Sequence, residues 1–157
     1  MSLGVLASEK FAKLLTERFG VTEFPKDAPP LVDKSRHFEL AKTLKDQGFA
    51  IYGFVVATHY LPKDGDPEHY DVATGLRSVG KGTEMAVWRV RVGMDDKIES
   101  LVPLYAGADW QEREQYDLVG VVFENHPDLR RIMMPEDWEG HPLRKDYAIE
   151  TACPPWR

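Results

Sequence analysis

Between Leu104 and Tyr147 the chain gathers carboxylates, guanidiniums and imidazoles more densely than a solvated surface requires. Such a mixture could ligate a metal, carry out nucleophilic or acid–base catalysis, or pair its charges. His126 and His141, with Asp117, Asp128 and Glu139, offer the imidazole and carboxylate donors that suit zinc or manganese. Their spacing matches no ligand pattern and lacks the His-Glu-x-x-His helix pair. Each histidine also precedes a proline, where an imidazole more often anchors a turn. For nucleophilic chemistry there is no Gly-x-Ser-x-Gly elbow, Cys153 sits in the tail, and Ser78 and Ser100 have no evident histidine partner. Gly80-Lys81-Gly82 lacks the Gly-x-x-x-x-Gly-Lys-Ser/Thr order of a phosphate loop and reads as a hairpin turn. Charge pairing is the chemistry left.

The elements that must position those charges begin with a helix. Asp109 followed by Glu112 fits a capping box, so the helix is predicted to start at Trp110. Gly120 supplies the left-handed conformation that ends it after roughly ten residues. Trp110, Glu114 and Leu118 recur at i, i+4, i+8 and predict an inward face on which Glu114 is half-buried. A buried carboxylate without a partner costs several kcal/mol, so Glu114 calls for a cation. Arg113 is predicted to point away, which leaves Arg130, Arg131, Arg144 and Lys145 as candidates. Pro127, Pro135 and Pro142 divide that downstream region into single turns, predicting a rigid, folded-back segment stitched by charge-assisted hydrogen bonds. The competing reading is a solvated helix face with an Arg113–Asp117 pair worth only a few tenths of a kcal/mol.

Glu112-Arg113-Glu114, Asp117-Leu118-Val119-Gly120, Phe123, His126-Pro127-Asp128-Leu129-Arg130-Arg131 and Trp138-Glu139-Gly140-His141-Pro142-Leu143-Arg144-Lys145-Asp146-Tyr147 closely resemble, in that order, the family of the C-type subunit of NADH-quinone oxidoreductase, respiratory complex I. The resemblance implies a peripheral-arm subunit that binds no cofactor of its own, with NADH, FMN, iron-sulfur clusters and quinone held by partner subunits. It implies packing against the large quinone-site subunit and other peripheral-arm subunits, at the cytoplasmic face of the bacterial cell membrane. Carried over by position, Glu112, Arg113, Glu114, Asp117, His126, Arg130, Arg131, Trp138, His141, Arg144 and Lys145 are expected to be structural and interfacial, none catalytic and none a metal ligand. Membrane-bound energy-converting hydrogenases carry a similar subunit with the Glu-Arg-Glu and His-Pro-Asp-Leu-Arg-Arg elements; the run Leu143-Arg144-Lys145-Asp146-Tyr147 resembles the respiratory enzyme more.

Composition narrows the field further. The 157 residues suit one domain with a real core, expected over 1–147 with the motif segment at 104–147 and a tail at 148–157. A net charge of -6 argues against nucleic acid, whose phosphates need clustered Lys and Arg. One cysteine excludes an intramolecular disulfide and a self-contained four-cysteine cluster or zinc finger. Neither a secretion signal nor an apolar run of the roughly 20 residues needed for a membrane helix is read.

Helical periodicity is predicted over Leu3–Phe19 and from Ser35, as N-cap, to Gln47. Val21–Leu31, with three prolines, reads as an extended connector with a short edge strand near Val21–Phe24. Phe49–Tyr60 reads as a central strand, His69–Val79 and Glu84–Val92 as a hairpin, and Ile98–Leu104 as the strand leading to the motif helix. Trp88 and Trp110 are expected in the core, Trp138 and Trp156 at an interface, and the Pro154-Pro155-Trp156 tail on a partner. The expected class is α+β in two layers: an antiparallel or mixed sheet of about four strands with helices packed on one side.

Overall fold

The structure is a computed structural model that describes residues 9–79 and 84–148. The chain runs α1 (Glu9–Phe19), β1 (Leu31–Val32), a 3-10 turn (Lys34–Arg36), α2 (His37–Asp46), β2 (Ile51–Tyr60), β3 (His69–Arg77), β4 (Met85–Gly93), β5 (Lys97–Glu99), α3 (Ala108–Val119) and β6 (Val122–Glu124). The α+β class is as expected. Four strands lie in the order β1-β4-β3-β2, with β1 parallel to β4 and the other pairings antiparallel. No helix among the described residues is long and apolar enough to cross a membrane.

Two-residue alternation builds the sheet. Ala86, Trp88, Val90 and Val92 of β4 turn to the core beside Tyr70, Val72 and Leu76 of β3, while Arg89 and Arg91 turn the other way and meet Asp71. Phe11 and Leu15 of α1, and Leu40 and Leu44 of α2, complete the same apolar cluster. Each such side chain removed from water contributes about 1.5–3 kcal/mol, which holds helices too short to persist alone. A buried hydrogen bond ties α2 to the sheet. Trp88 Nε1 donates to His37 Nδ1 at 3.1 Å, and burial pushes the His37 pKa down to about 4, keeping the ring a neutral acceptor.

Several local expectations are corrected. No strand forms at Val21–Phe24; the strand is Leu31–Val32, where parallel pairing to Arg89 and Val90 is available. Asp33, not Ser35, caps the turn leading into α2: its Oδ1 accepts from the Ser35 amide at 2.8 Å. β2 is a border strand rather than a central one. Two of its outer amides are nevertheless occupied, because Gln111 Oε1 accepts from Val55 N–H at 3.0 Å and Gln115 Oε1 from Ala57 N–H at 2.9 Å. Four residues of helix and two of strand both advance roughly 6–7 Å, so glutamines at i, i+4 reach alternate strand residues. The strand expected to continue to Leu104 stops at Glu99, and the chain turns with Leu104 and Tyr105 amides donating to the Leu101 carbonyl. β5 instead pairs in parallel with β6 across α3. On the outer face of the sheet the Phe54 ring lies over Gly75, where an added Cβ would stand 2.8 Å from its Cδ1. The hairpin tip at 80–82, the start of the first helix and the Pro154-Pro155-Trp156 tail lie outside the described residues.

Candidate functional site

α3 ends at Gly120, as expected, in the left-handed conformation at φ 94°. Its start and its inward face differ from what the sequence predicts. The helix begins at Ala108 with Gly107 in the cap position and no side-chain cap, so Asp109 and Glu112 form no capping box. The buried residues are Ala108, Glu112, Arg113, Asp117 and Val119, while Trp110 is 65 % exposed. The helix thus turns a charged side inward and leaves Trp110 outermost, while Leu118 still packs against the core from a half-buried position. Glu114 is intermediate in exposure, and among the described residues no hydrogen bond or ion pair engages it.

The pinned carboxylate is Asp117. It is fully buried, and one oxygen accepts from three successive amides: Ile132 at 3.0 Å, Met133 at 2.7 Å and Met134 at 2.9 Å. The other oxygen accepts from Arg131 Nη1 at 2.8 Å. Burial alone would push this carboxyl up, but the amides of Met134, Met133 and Ile132, with the Arg131 guanidinium, hold it below the usual carboxylate range. Arg131 also donates to the carbonyls of Asp117 at 3.3 Å and Gly140 at 3.0 Å, so one guanidinium joins α3 to two points of the folded-back ribbon. His141 Nδ1 donates to the Asp117 carbonyl at 2.9 Å, and its ring lies against Gly120, where a Cβ would meet Cδ2 at 2.7 Å. Glycine is required there twice over, by conformation and by space. Leu143 N–H donates to the Leu118 carbonyl at 2.8 Å, extending the clasp along the helix end.

A second lobe surrounds Arg113. Contrary to expectation it does not point away: it is 6 % exposed, with its guanidinium 5.1 Å over the Trp110 ring and its Nε donating to the Arg130 carbonyl at 3.3 Å. Asp109 and Asp128 flank it at 3.9 and 3.7 Å. His126 anchors the intervening turn as a proline-preceding histidine should. Its Nε2 meets the Asp109 carbonyl at 3.3 Å, and its Nδ1 accepts from Asp128 N–H at 3.1 Å. Among the described residues the Arg130 side chain reaches only Asp128. Trp138 is partly exposed, and among the described residues its buried Nε1 has no hydrogen-bond partner.

The third lobe involves residues that no sequence motif marks. His59 of β2 is buried, its Nδ1 accepting from Lys145 N–H at 3.1 Å and its Nε2 contacting Glu68 at 2.8 Å. Arg144 joins Glu68 at 3.5 Å and bonds Asp146 with both Nε and Nη2. Neither Arg144 nor Lys145 serves Glu114; the Lys145 ammonium lies 4.7 Å over the Tyr60 ring. His59, Glu68 and Asp146 have the donor types of a metal centre, yet Arg144 already supplies the positive charge among them. No spacing links residues 59, 68 and 146, so only tertiary structure brings them together. The ring nitrogens of His126, Nδ1 of His141 and the carboxylate of Asp117 are likewise engaged in the turns described above.

Fold and site together define a small α+β protein whose polar groups fasten a ribbon of its own chain across one helix. A family model described as the 30 Kd subunit of respiratory-chain NADH dehydrogenase matches residues 31–152. The C-type subunit of the NADH-quinone oxidoreductase of Geotalea uraniireducens (strain Rf4) is 37% identical over 143 residues, covering 90% of this chain and 84% of that one. NADH-quinone oxidoreductase subunit 5 of Thermus thermophilus is 40% identical over 126 residues, covering 76% and 60%. Among solved structures, Nqo5 of the trypsin-resistant fragment (1-134) superposes with a TM-score of 0.56 at 29% identity, covering 64% of this chain and 80% of that one. The chain belongs to the family of the 30 Kd subunit of respiratory-chain NADH dehydrogenase.

Proposed function

We propose that this chain is a peripheral-arm subunit of a proton-pumping NADH:quinone oxidoreductase, working without a cofactor of its own at the cytoplasmic face of the bacterial membrane. In this reading it braces the large quinone-site subunit within the peripheral arm. Residues 1–147 act as one structural unit, and 148–157 as a tail docking on a partner. The observation that carries the reading is the Asp117 clasp, which lies inside the family match and holds the ribbon by four hydrogen bonds to one carboxylate and a fifth from the Arg131 guanidinium to the Gly140 carbonyl. The clasp leaves Met133 and Leu143 61% and 62% exposed on the ribbon, and Trp110 65% exposed on the helix beneath it. Apolar side chains displayed on a stiff backbone suit docking, because little freedom is left to lose on association. Rigidity matters where a neighbour positions quinone, since a displacement of about 1 Å can cost on the order of a hundredfold in rate.

The test is Arg131→Ala in the assembled complex, with subunits identified after co-purification. Brace function predicts less assembled enzyme at near-normal turnover per assembled complex. Normal assembly with quinone reduction lost would instead assign the clasp a direct part in the chemistry.

A further inference from the structure

Glu112 is 1 % exposed, yet its hydrogen-bond partners are all neutral: Ser100 Oγ at 2.6 Å on one oxygen and Leu101 N–H at 2.8 Å on the other. Among the described residues no Lys, Arg or His forms an ion pair with it. Arg113, its sequence neighbour, and His126 lie against Asp109 instead. The groups facing Glu112 from each neighbouring element include no cation. From its own helix comes the Asp109 carboxylate, and from β2 the buried Tyr52 hydroxyl, which has no hydrogen-bond partner among the described residues. From the turn after β5 come only the serine hydroxyl and one amide. Taking a carboxylate out of water with no cation beside it costs several kcal/mol, whereas the protonated acid fits the same neutral partners.

We propose that Glu112 is a proton-binding site: the folded chain carries it as a neutral carboxylic acid, and its ionisation loosens the seat of α3 on the turn after β5. The proton comes from solvent and sits on Oε2, and the Ser100 hydroxyl turns from donor to acceptor. Leu101 N–H donates to Oε1 in both states. Val102 N–H, which donates to Ser100 Oγ at 3.2 Å, steadies the hydroxyl through the exchange. Burial, the dominant influence, pushes the carboxyl up to about 7, the Asp109 charge adding to it and the Ser100 and Leu101 bonds opposing it. A folded-state pKa above the unfolded value means that folding takes up a proton between pH 4.5 and about 7. The stability so contributed is full below 4.5 and is lost as pH rises through 7. The inference rests on the packing of this chain alone, and stands or falls apart from the assembly reading.

Carbon-13 NMR of the full chain, labelled at the glutamate carboxyl, tests it, with Glu112→Gln identifying the resonance. The expected midpoint is near 7; a midpoint at or below 4.5 overturns the proposal. If Glu112→Gln does not fold, Ser100→Ala identifies the same resonance by shifting it. Where Glu112→Gln folds, the wild-type folding constant divided by that of the variant should fall by up to tenfold per pH unit between 4.5 and 7. A ratio that does not move with pH refutes the site.

Discussion

Asp117 and Glu114 stand three residues apart on one helix and have opposite circumstances. Asp117 accepts from a guanidinium and three amides, so Asp117→Ala strands a mostly buried arginine and uncovers those amides. Breaking a buried pair from one side costs about 3–5 kcal/mol. Urea unfolding should therefore show Asp117→Ala as severely destabilised. Glu114→Ala, by contrast, removes a side chain with no partner among the described residues and should fall within about 0.5 kcal/mol of wild type. Sequence reasoning selects the wrong acid for a definite reason. Trp110 makes its stripe look inward, but the charged ribbon of the same chain covers the side of α3 that carries Arg113 and Asp117. Helical spacing records which residues share a face; it does not record what that face meets.

At the scale of elements, what is legible depends on how local the cause is. Gly120 ends α3 and the period-two pattern builds β3 and β4, because capping and alternation act within a few residues. The parallel pairing of β5 with β6 and the border position of β2 are not legible, since each is decided by where α3 lands. The glutamines are the hinge of that placement. Replacing both Gln111 and Gln115 with alanine removes the acceptors of Val55 and Ala57 N–H, at about 1 kcal/mol apiece. The double variant should unfold at lower urea, and sedimentation should detect concentration-dependent association through the newly open strand. Association equal to that of wild type would mean that the glutamines do not guard the border.

For the whole molecule, two buried groups oppose each other in the pH profile near neutrality. His37 is held neutral down to about 4 against 6.5 when free, so the stability it contributes is present above 6.5 and is lost as pH falls toward 4. Glu112 works in the other direction from 4.5 to about 7. Across their common window, 4.5 to 6.5, folding releases one proton at His37 and takes one up at Glu112, so these two contributions cancel. Chemical unfolding of the wild type at stepped pH should thus show little slope from this pair within the window. Glu112→Gln should grow more stable with rising pH there, because only the His37 linkage remains. A Glu112→Gln profile as flat as the wild type would show that the two groups do not oppose each other.

The two margins of the four-stranded sheet are shortened by modest means: one by a two-residue strand, the other by a pair of amide side chains. A subunit synthesised before its neighbours must wait for them in crowded surroundings, and a long open margin would recruit identical copies during that wait. Guarded margins of this kind would let a copy of the chain stay alone without growing into filaments.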